Sequence, residues 1–201
     1  LFTAQGPLKA SVKRWALATD ASPWGGGAVL FYDGQPYEYA SWVWTDSSSG
    51  NLNLELGIPE HQSFWEFLTL GLALAIWGQD FVQEALAILC DNQAALQDLL
   101  DLKGKDSMLA IARELAWRKA KGRWQYETGH LPAEQNELAD ALSRLRAPKS
   151  KKFPPALTGL RERDTEDPNM FWRLQRRQNM VYTFSSRLPH AWSVQNGMTT
   201  Q

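Results

Sequence analysis

The sequence predicts a mixed α/β domain: a five-stranded sheet in the order β-β-β-α-β-α-α-β-α, with helices on both faces. Three observations predict it. Short apolar runs open the chain and are separated by turn signals, a pattern of hairpin-linked antiparallel strands. Further on, strand-like and helix-like runs alternate, which calls for parallel crossovers. A long, nearly all-round apolar helix lies between these two parts and needs a sheet face to cover it.

Each element can be justified in turn. Residues 1–12 read as a linker from an upstream region. The run from Trp15 to Asp20 (WALATD) is a first strand, and Gly25 to Tyr32 (GGGAVLFY) a second, begun on glycines that allow close backbone approach. No Lys-Ser/Thr follows those glycines, so strand entry is preferred to a phosphate loop. Asp33-Gly34 is a hairpin turn leading to a third strand, Gln35 to Thr45, whose Trp42 and Trp44 share one face. Residues 46–60 are polar and irregular, hence a loop. His61 to Trp77 is the apolar helix, Glu84 to Cys90 (EALAILC) a fourth strand. Asn92 to Leu102 and Ser107 to Ala120 are amphipathic helices joined around Gly104. Arg123 to Thr128 (RWQYET) is a fifth strand and Ala133 to Leu145 a last helix. The domain is thus expected over residues 13–146. After Leu145 the composition changes: residues 147–168 hold four of the ten prolines beside Lys149, Lys151 and Lys152. Residues 147–201 are expected to be a Pro-rich, basic C-terminal extension, partly without fixed structure, its cations solvated. Phe171 and Trp172 beside Arg173, Arg176 and Arg177 allow a short helix there.

Composition sets the limits. A chain of 201 residues, 44% hydrophobic, can bury one substantial core. The net charge of −1 lacks the basic excess of a chain that binds nucleic acid on charge alone. Such binding must come from a local site, from metal ions or from a neighbouring domain. The single cysteine, Cys90, gives neither a disulfide framework nor a zinc site and reads as a buried, inert thiol. No stretch is apolar and long enough to span a membrane, and no secretion signal is visible. The chain opens on Leu1 rather than Met and is read as a segment of a longer polypeptide.

Four acids carry the chemistry. Glu66 is the only charged residue between His61 and Gln79, and a lone carboxylate in a core helix is costly unless it is paired or binds a cation. Its bland alternative is a narrow solvent stripe. Asp20 and Asp91 end the first and fourth strands, where sites gather in open α/β sheets. Their bland alternatives are a turn before Pro23 and a helix N-cap, the latter a role Asn92 could share. Asp140 lies on the last helix and could simply pair with Arg144 four residues on. Three of the four lose to the bland alternative when taken singly. Together they gain: neighbouring first and fourth strands would bring Asp20 and Asp91 side by side, with a helix from each face adding Glu66 and Asp140. Four clustered carboxylates repel without cations, and hard oxygen donors suit Mg²⁺ or Mn²⁺. Two such ions can clamp the attacking water and the leaving oxygen of a phosphodiester.

The segments TDASPWGGGAVLF (19–31), FWEFLTLGLALAIW (64–77), CDNQAAL (90–96) and GHLPAEQNELADALSR (129–144) resemble the ribonuclease H domain of retroelement reverse transcriptases, LTR-retrotransposons above all. The most specific match is the spacing of His130, Asn136 and Asp140. The resemblance spans roughly residues 14–146. It implies a ribonuclease H-like fold and an endonuclease that hydrolyses the RNA strand of RNA–DNA hybrids. It implies two Mg²⁺ ions, with Mn²⁺ able to substitute, held by Asp20, Glu66, Asp91 and Asp140. His130, on a loop, would assist proton movement or product release. Ser22, Asn92, Gln93 and Asn136 would meet substrate, Gln93 in the minor groove, where the 2′-hydroxyl distinguishes RNA from DNA. The implied partners are the hybrid and a linked or associated reverse transcriptase polymerase domain, with no membrane, in an intracellular particle or the nucleus. The loop over 46–63 is longer than the compact family pattern, and the basic handle of some cellular members reduces here to Lys103 and Lys105.

Other classes fit less well. An inactive connection or nucleic-acid-binding domain of the same fold would be expected to lose acids, and this chain keeps all four. An integrase- or transposase-type nuclease places its glutamate after the second aspartate, whereas Glu66 precedes Asp91. A 3′–5′ exonuclease would carry a second acid close to Asp20, two residues on, where Ser22 stands.

Overall fold

The Asp33-Gly34 turn has both residues at positive φ (47° and 77°), the backbone that a tight two-residue hairpin demands. It joins β2 (Gly25–Tyr32) to β3 (Gln35–Val43), and β1 (Trp15–Ser22) pairs antiparallel with β2 on the other side. The computed structural model describes residues 14–49, 54–81, 86–104, 107–165 and 168. Helix α1 (Gln62–Trp77) leads to β4 (Leu86–Cys90), then come α2 (Gln93–Asp101), α3 (Ser107–Gly122), β5 (Tyr126–His130) and α4 (Glu137–Ser143). Strands β4 and β5 pair in parallel, and β4 runs parallel to β1, as the crossover helices require. Helices α1, α2 and α3 share one core with Leu17, Leu30 and Trp42, while Leu142 of α4 packs with Ala18, Val29 and Tyr39 on the opposite face. Both faces are therefore covered.

Among the described residues the sheet has six strands, not five, in the order β5-β4-β1-β2-β3-β6. The extra strand, β6 (Arg161–Glu162), comes from beyond residue 146 and pairs in parallel with Glu38 and Tyr39 of β3. Charge and packing hold it there. Arg161 and Arg163 reach the buried carboxylate of Glu38 at 3.6 and 3.3 Å, and the indole N–H of Trp77 donates to the same carboxylate at 3.0 Å. Phe153 meets Tyr39 edge-on at 5.5 Å between ring centres, and Leu157 is buried. Residues 147–165 thus lie against the domain. The linker expected at 1–12 and the short helix expected near Phe171 lie outside the described residues.

Two elements shift from expectation. The fifth strand begins at Tyr126, because Arg123 turns at φ 52° and Trp124 packs into the core against Gly78 and Gly122. It extends to His130, which pairs with Cys90 and so ends a strand instead of lying on a loop. The last helix is broken: a 3-10 turn over Ala133–Gln135 precedes α4, and Asn136 between them leaves helical geometry. The buried Asn136 amide donates to the Thr19 carbonyl at 2.8 Å, pinning the start of α4 to the strand one residue before Asp20.

The glycines at the start of β2 explain how α4 comes so close. A Cβ on Gly27 would stand 2.3 Å from the Ala139 carbonyl oxygen, and one on Gly25 would stand 3.0 Å from that of Ser143. Only glycine admits the helix backbone at this distance. The glycines serve packing, and the packing delivers α4 to the end of β1.

Candidate active site

Register alone brings two acids together. Ala18 of β1 pairs with Leu89 of β4, so two residues on, Asp20 and Asp91 stand side by side. Asp91 follows the last residue of β4, whereas Asp20, expected to end its strand, lies within β1, which runs on to Ser22 against β2. Helix α1 starts at that end, tied down by Gln62, whose Nε2 donates to the Ala21 carbonyl and to Glu66 Oε1, both at 2.7 Å. Glu66 and Gln62 are four apart, on one helix face. Asp20, Glu66 and Asp91 line one cleft of about 450 Å³, bordered by Asn92, Gln93 and Arg144. A separate cavity of about 300 Å³ lies by Leu72, Ile76, Arg161 and Arg163 and gathers none of the expected site residues.

Burial makes the cluster electrostatically costly. Glu66 is 3% exposed and Asp20 5%. Burial first, then the charges of Asp20 and Asp91, raise the Glu66 pKa well above the carboxylate range, against the hydrogen bond from Gln62. Burial likewise raises Asp20 to about 7, with Asp140 and Asp91 adding to the rise and the Ser143 hydroxyl opposing it. That hydroxyl donates to Asp20 Oδ2 at 2.6 Å. The Cys90 thiol touches Glu66 and Asp91 at 3.7 and 3.9 Å, and burial with the neighbouring carboxylates raises its pKa too. It stays protonated beside the acids, as the inert thiol expected.

The ligand atoms of Glu66, Cys90 and Asp91 lie within 4.8 Å of one another, a spacing at which a metal ion could be held. With Cys90 protonated, the donors are carboxylate oxygens, a set that fits Mg²⁺ or Mn²⁺. Among the described residues no ion pair reaches Asp20, Glu66 or Asp91.

Asp140 differs. Its Oδ1 accepts from Arg144 Nε at 2.6 Å, so the bland pairing read from the sequence is formed, and its Oδ2 accepts from Lys151. Burial alone would raise its pKa, but Lys151 and Arg144 outweigh burial and lower it. Asp140 is not among the residues that line the cleft, yet it is near enough for its charge to act on Asp20.

The remaining expected residues divide. Gln93 is exposed on the cleft rim and His130 is exposed at the end of β5. Asn92 caps α2, accepting the Ala95 N–H at 3.0 Å, which leaves Asp91 clear of that role. Ser22 and Asn136, expected at the substrate, are 1% and 2% exposed and turn inward. Ser22 donates to the Ser143 carbonyl at 2.7 Å, so both residues join β1 to α4 and neither faces the opening. Gln62 and Ser143 were missed, although each stands three or four residues from an acid on the same helix, a spacing legible in the sequence.

No protein-family model matches the chain, and no curated protein matches it. Among solved structures, LC11-RNase H1 in complex with an RNA/DNA hybrid is similar, with a TM-score of 0.50 and 16% identity over 64% of this chain and 92% of that one. A second structure of LC11-RNase H1, isolated from compost by a metagenomic approach, gives 0.47 and 19% over 65% and 92%. RNase H1 from the halophilic archaeon Halobacterium salinarum gives 0.46 and 22% over 64% and 93%. At this identity the first likeness is one of fold, and it agrees with the strand order and two-sided helix packing above: the chain has the ribonuclease H fold.

Proposed function

We propose that the chain is a metal-dependent endonuclease that hydrolyses the RNA strand of RNA–DNA hybrids, as the ribonuclease H part of a reverse transcriptase. The carrying observation is the convergence of Asp20, Glu66 and Asp91 in one cleft where, among the described residues, no ion pair engages them and Arg144, the cation on the border, is paired with Asp140. Buried like charges of this kind ask for an external cation. The four motif segments support the retroelement context.

Asp20, Glu66, Asp91 and Asp140 would hold two Mg²⁺ ions. Bound there, the ions would supply the charge that activates water and stabilises the leaving oxygen. The protein's own groups do the rest. Ser143 fixes Asp20 and Gln62 fixes Glu66, so the carboxylates are aimed before substrate arrives. Gln93 on the rim can donate to the minor groove, and exposed His130 can take up or release a proton as product leaves.

The test is cleavage of a hybrid labelled on either strand, with single-stranded RNA and duplex DNA alongside, in Mg²⁺, Mn²⁺ and EDTA. Metal-dependent cuts confined to the RNA of the hybrid are expected. A folded sample that cuts nothing with either metal would refute the reading in favour of an inactive connection domain.

A further inference from the structure

Lys151 follows the last helix, yet neighbouring contacts fix its place. Its backbone N–H donates to the Arg144 carbonyl at 3.3 Å. Further along, Phe153 packs on Tyr39, Leu157 is buried, and Arg161–Glu162 pairs with β3. These anchors set the Lys151 ammonium on Asp140 Oδ2 while Arg144 holds Oδ1. Each Asp140 oxygen therefore already has a cation, unlike the other three acids.

A divalent ion and an ammonium repel, and both cannot take the same oxygen. Arg144 follows directly on the helix that carries Asp140 and also borders the cleft. Lys151 arrives from the extension and is half exposed, so water can receive its charge on release. Resting on the metal-dependent reading above, we propose that Lys151 is a built-in competitor for Asp140, which a divalent ion must displace. The extension then weakens the ion site that uses Asp140 and leaves the site of Asp20, Glu66 and Asp91 as it is.

The experiment is a Mn²⁺ titration of the metal-stripped full chain, read by calorimetry and by the paramagnetic resonance of free Mn²⁺. Wild type is compared with Lys151→Gln, Lys151→Arg and Lys149→Gln. Lys149 is exposed on the same segment, so its variant controls for net charge. In Lys151→Gln the weaker binding step should tighten about fivefold, the size of a partly exposed ion pair. The tighter step should not move, and Lys151→Arg and Lys149→Gln should behave as wild type. Unchanged steps in Lys151→Gln, or equal tightening in Lys149→Gln, would overturn the proposal. No Mn²⁺ binding by any form would instead overturn the metal-dependent reading itself.

Discussion

Asp20 and Asp140 flank one residue, Ser143, yet their pKa values move in opposite directions. The Ser143 hydroxyl donates to Asp20 Oδ2 at 2.6 Å and lies 3.0 Å from the Asp140 carbonyl. Asp20 has that neutral donor and the more distant charge of Arg144, with no ion pair, and is raised to about 7, chiefly by burial. Asp140 is only partly buried: it keeps contact with water and gains two cationic side chains, which bring its pKa down. The comparison teaches where an outside cation is needed. A buried carboxylate among its own kind gains most from one, while a carboxylate with internal cations gains least.

The largest effect should come from removing one acid of each class. Asp91→Asn should abolish cleavage and leave the metal-free fold as stable or more so, because it removes a like charge from Asp20 and Glu66. Asp140→Asn should also impair cleavage, but it strips Arg144 and Lys151 of their partner and should lower stability, by less than about 1 kcal/mol since both cations are half exposed. Thermal melts in EDTA beside activity assays check the pair. The same sign of stability change in both variants would break the comparison.

A smaller effect should follow from Ser143→Ala. Groups that orient a metal ligand typically contribute 10- to 100-fold in affinity or activity, about that range being expected here. Divalent-ion affinity should fall while the fold persists, and Ser143→Thr, which keeps a hydroxyl, should restore it. Affinity unchanged in the alanine variant would mean that burial alone holds Asp20 in place.

Much of this arrangement was legible before the structure. Asp20 and Asp91 end runs whose apolar character marks strands, and Glu66 stands out because nothing else on its helix is charged. Those signals are local. What was not legible depends on long-range return of the chain. Arg161–Glu162 is too short to show strand periodicity, and it forms a strand because Glu38, over a hundred residues earlier, is a buried anion awaiting Arg161 and Arg163. Lys151 looked like one member of a solvated basic run, and only the anchoring of Phe153 and Leu157 turns it toward Asp140. Ser22 and Asn136 carry the polarity of substrate contacts, but tight packing of α4 on the glycines of β2 faces them inward.

The gentlest probe of the two acid classes is pH. Asp20 has an ordinary pKa of 3.8 and a folded value of about 7, so the folded state holds a proton that the unfolded chain has lost between these limits. Its contribution to stability is therefore fully present below the lower value and is lost as pH rises through the upper one. Glu66, also raised, acts with the same sign. Asp140, lowered, acts with the opposite sign: its contribution is present above the ordinary carboxylate pKa and is lost as pH falls below it. In EDTA the melting temperature should accordingly decline from about pH 4.5 to about pH 7, above the range where Asp140 titrates. Saturating Mg²⁺ should flatten or reverse that slope, because the ion binds the ionised carboxylates and competes with their protons. Asp20→Asn should reduce the slope without metal, leaving the part that Glu66 contributes through burial. A metal-free melting temperature that climbs across this window would show that Asp20 and Glu66 ionise at no cost, and the contrast with Asp140 would then lie in geometry alone.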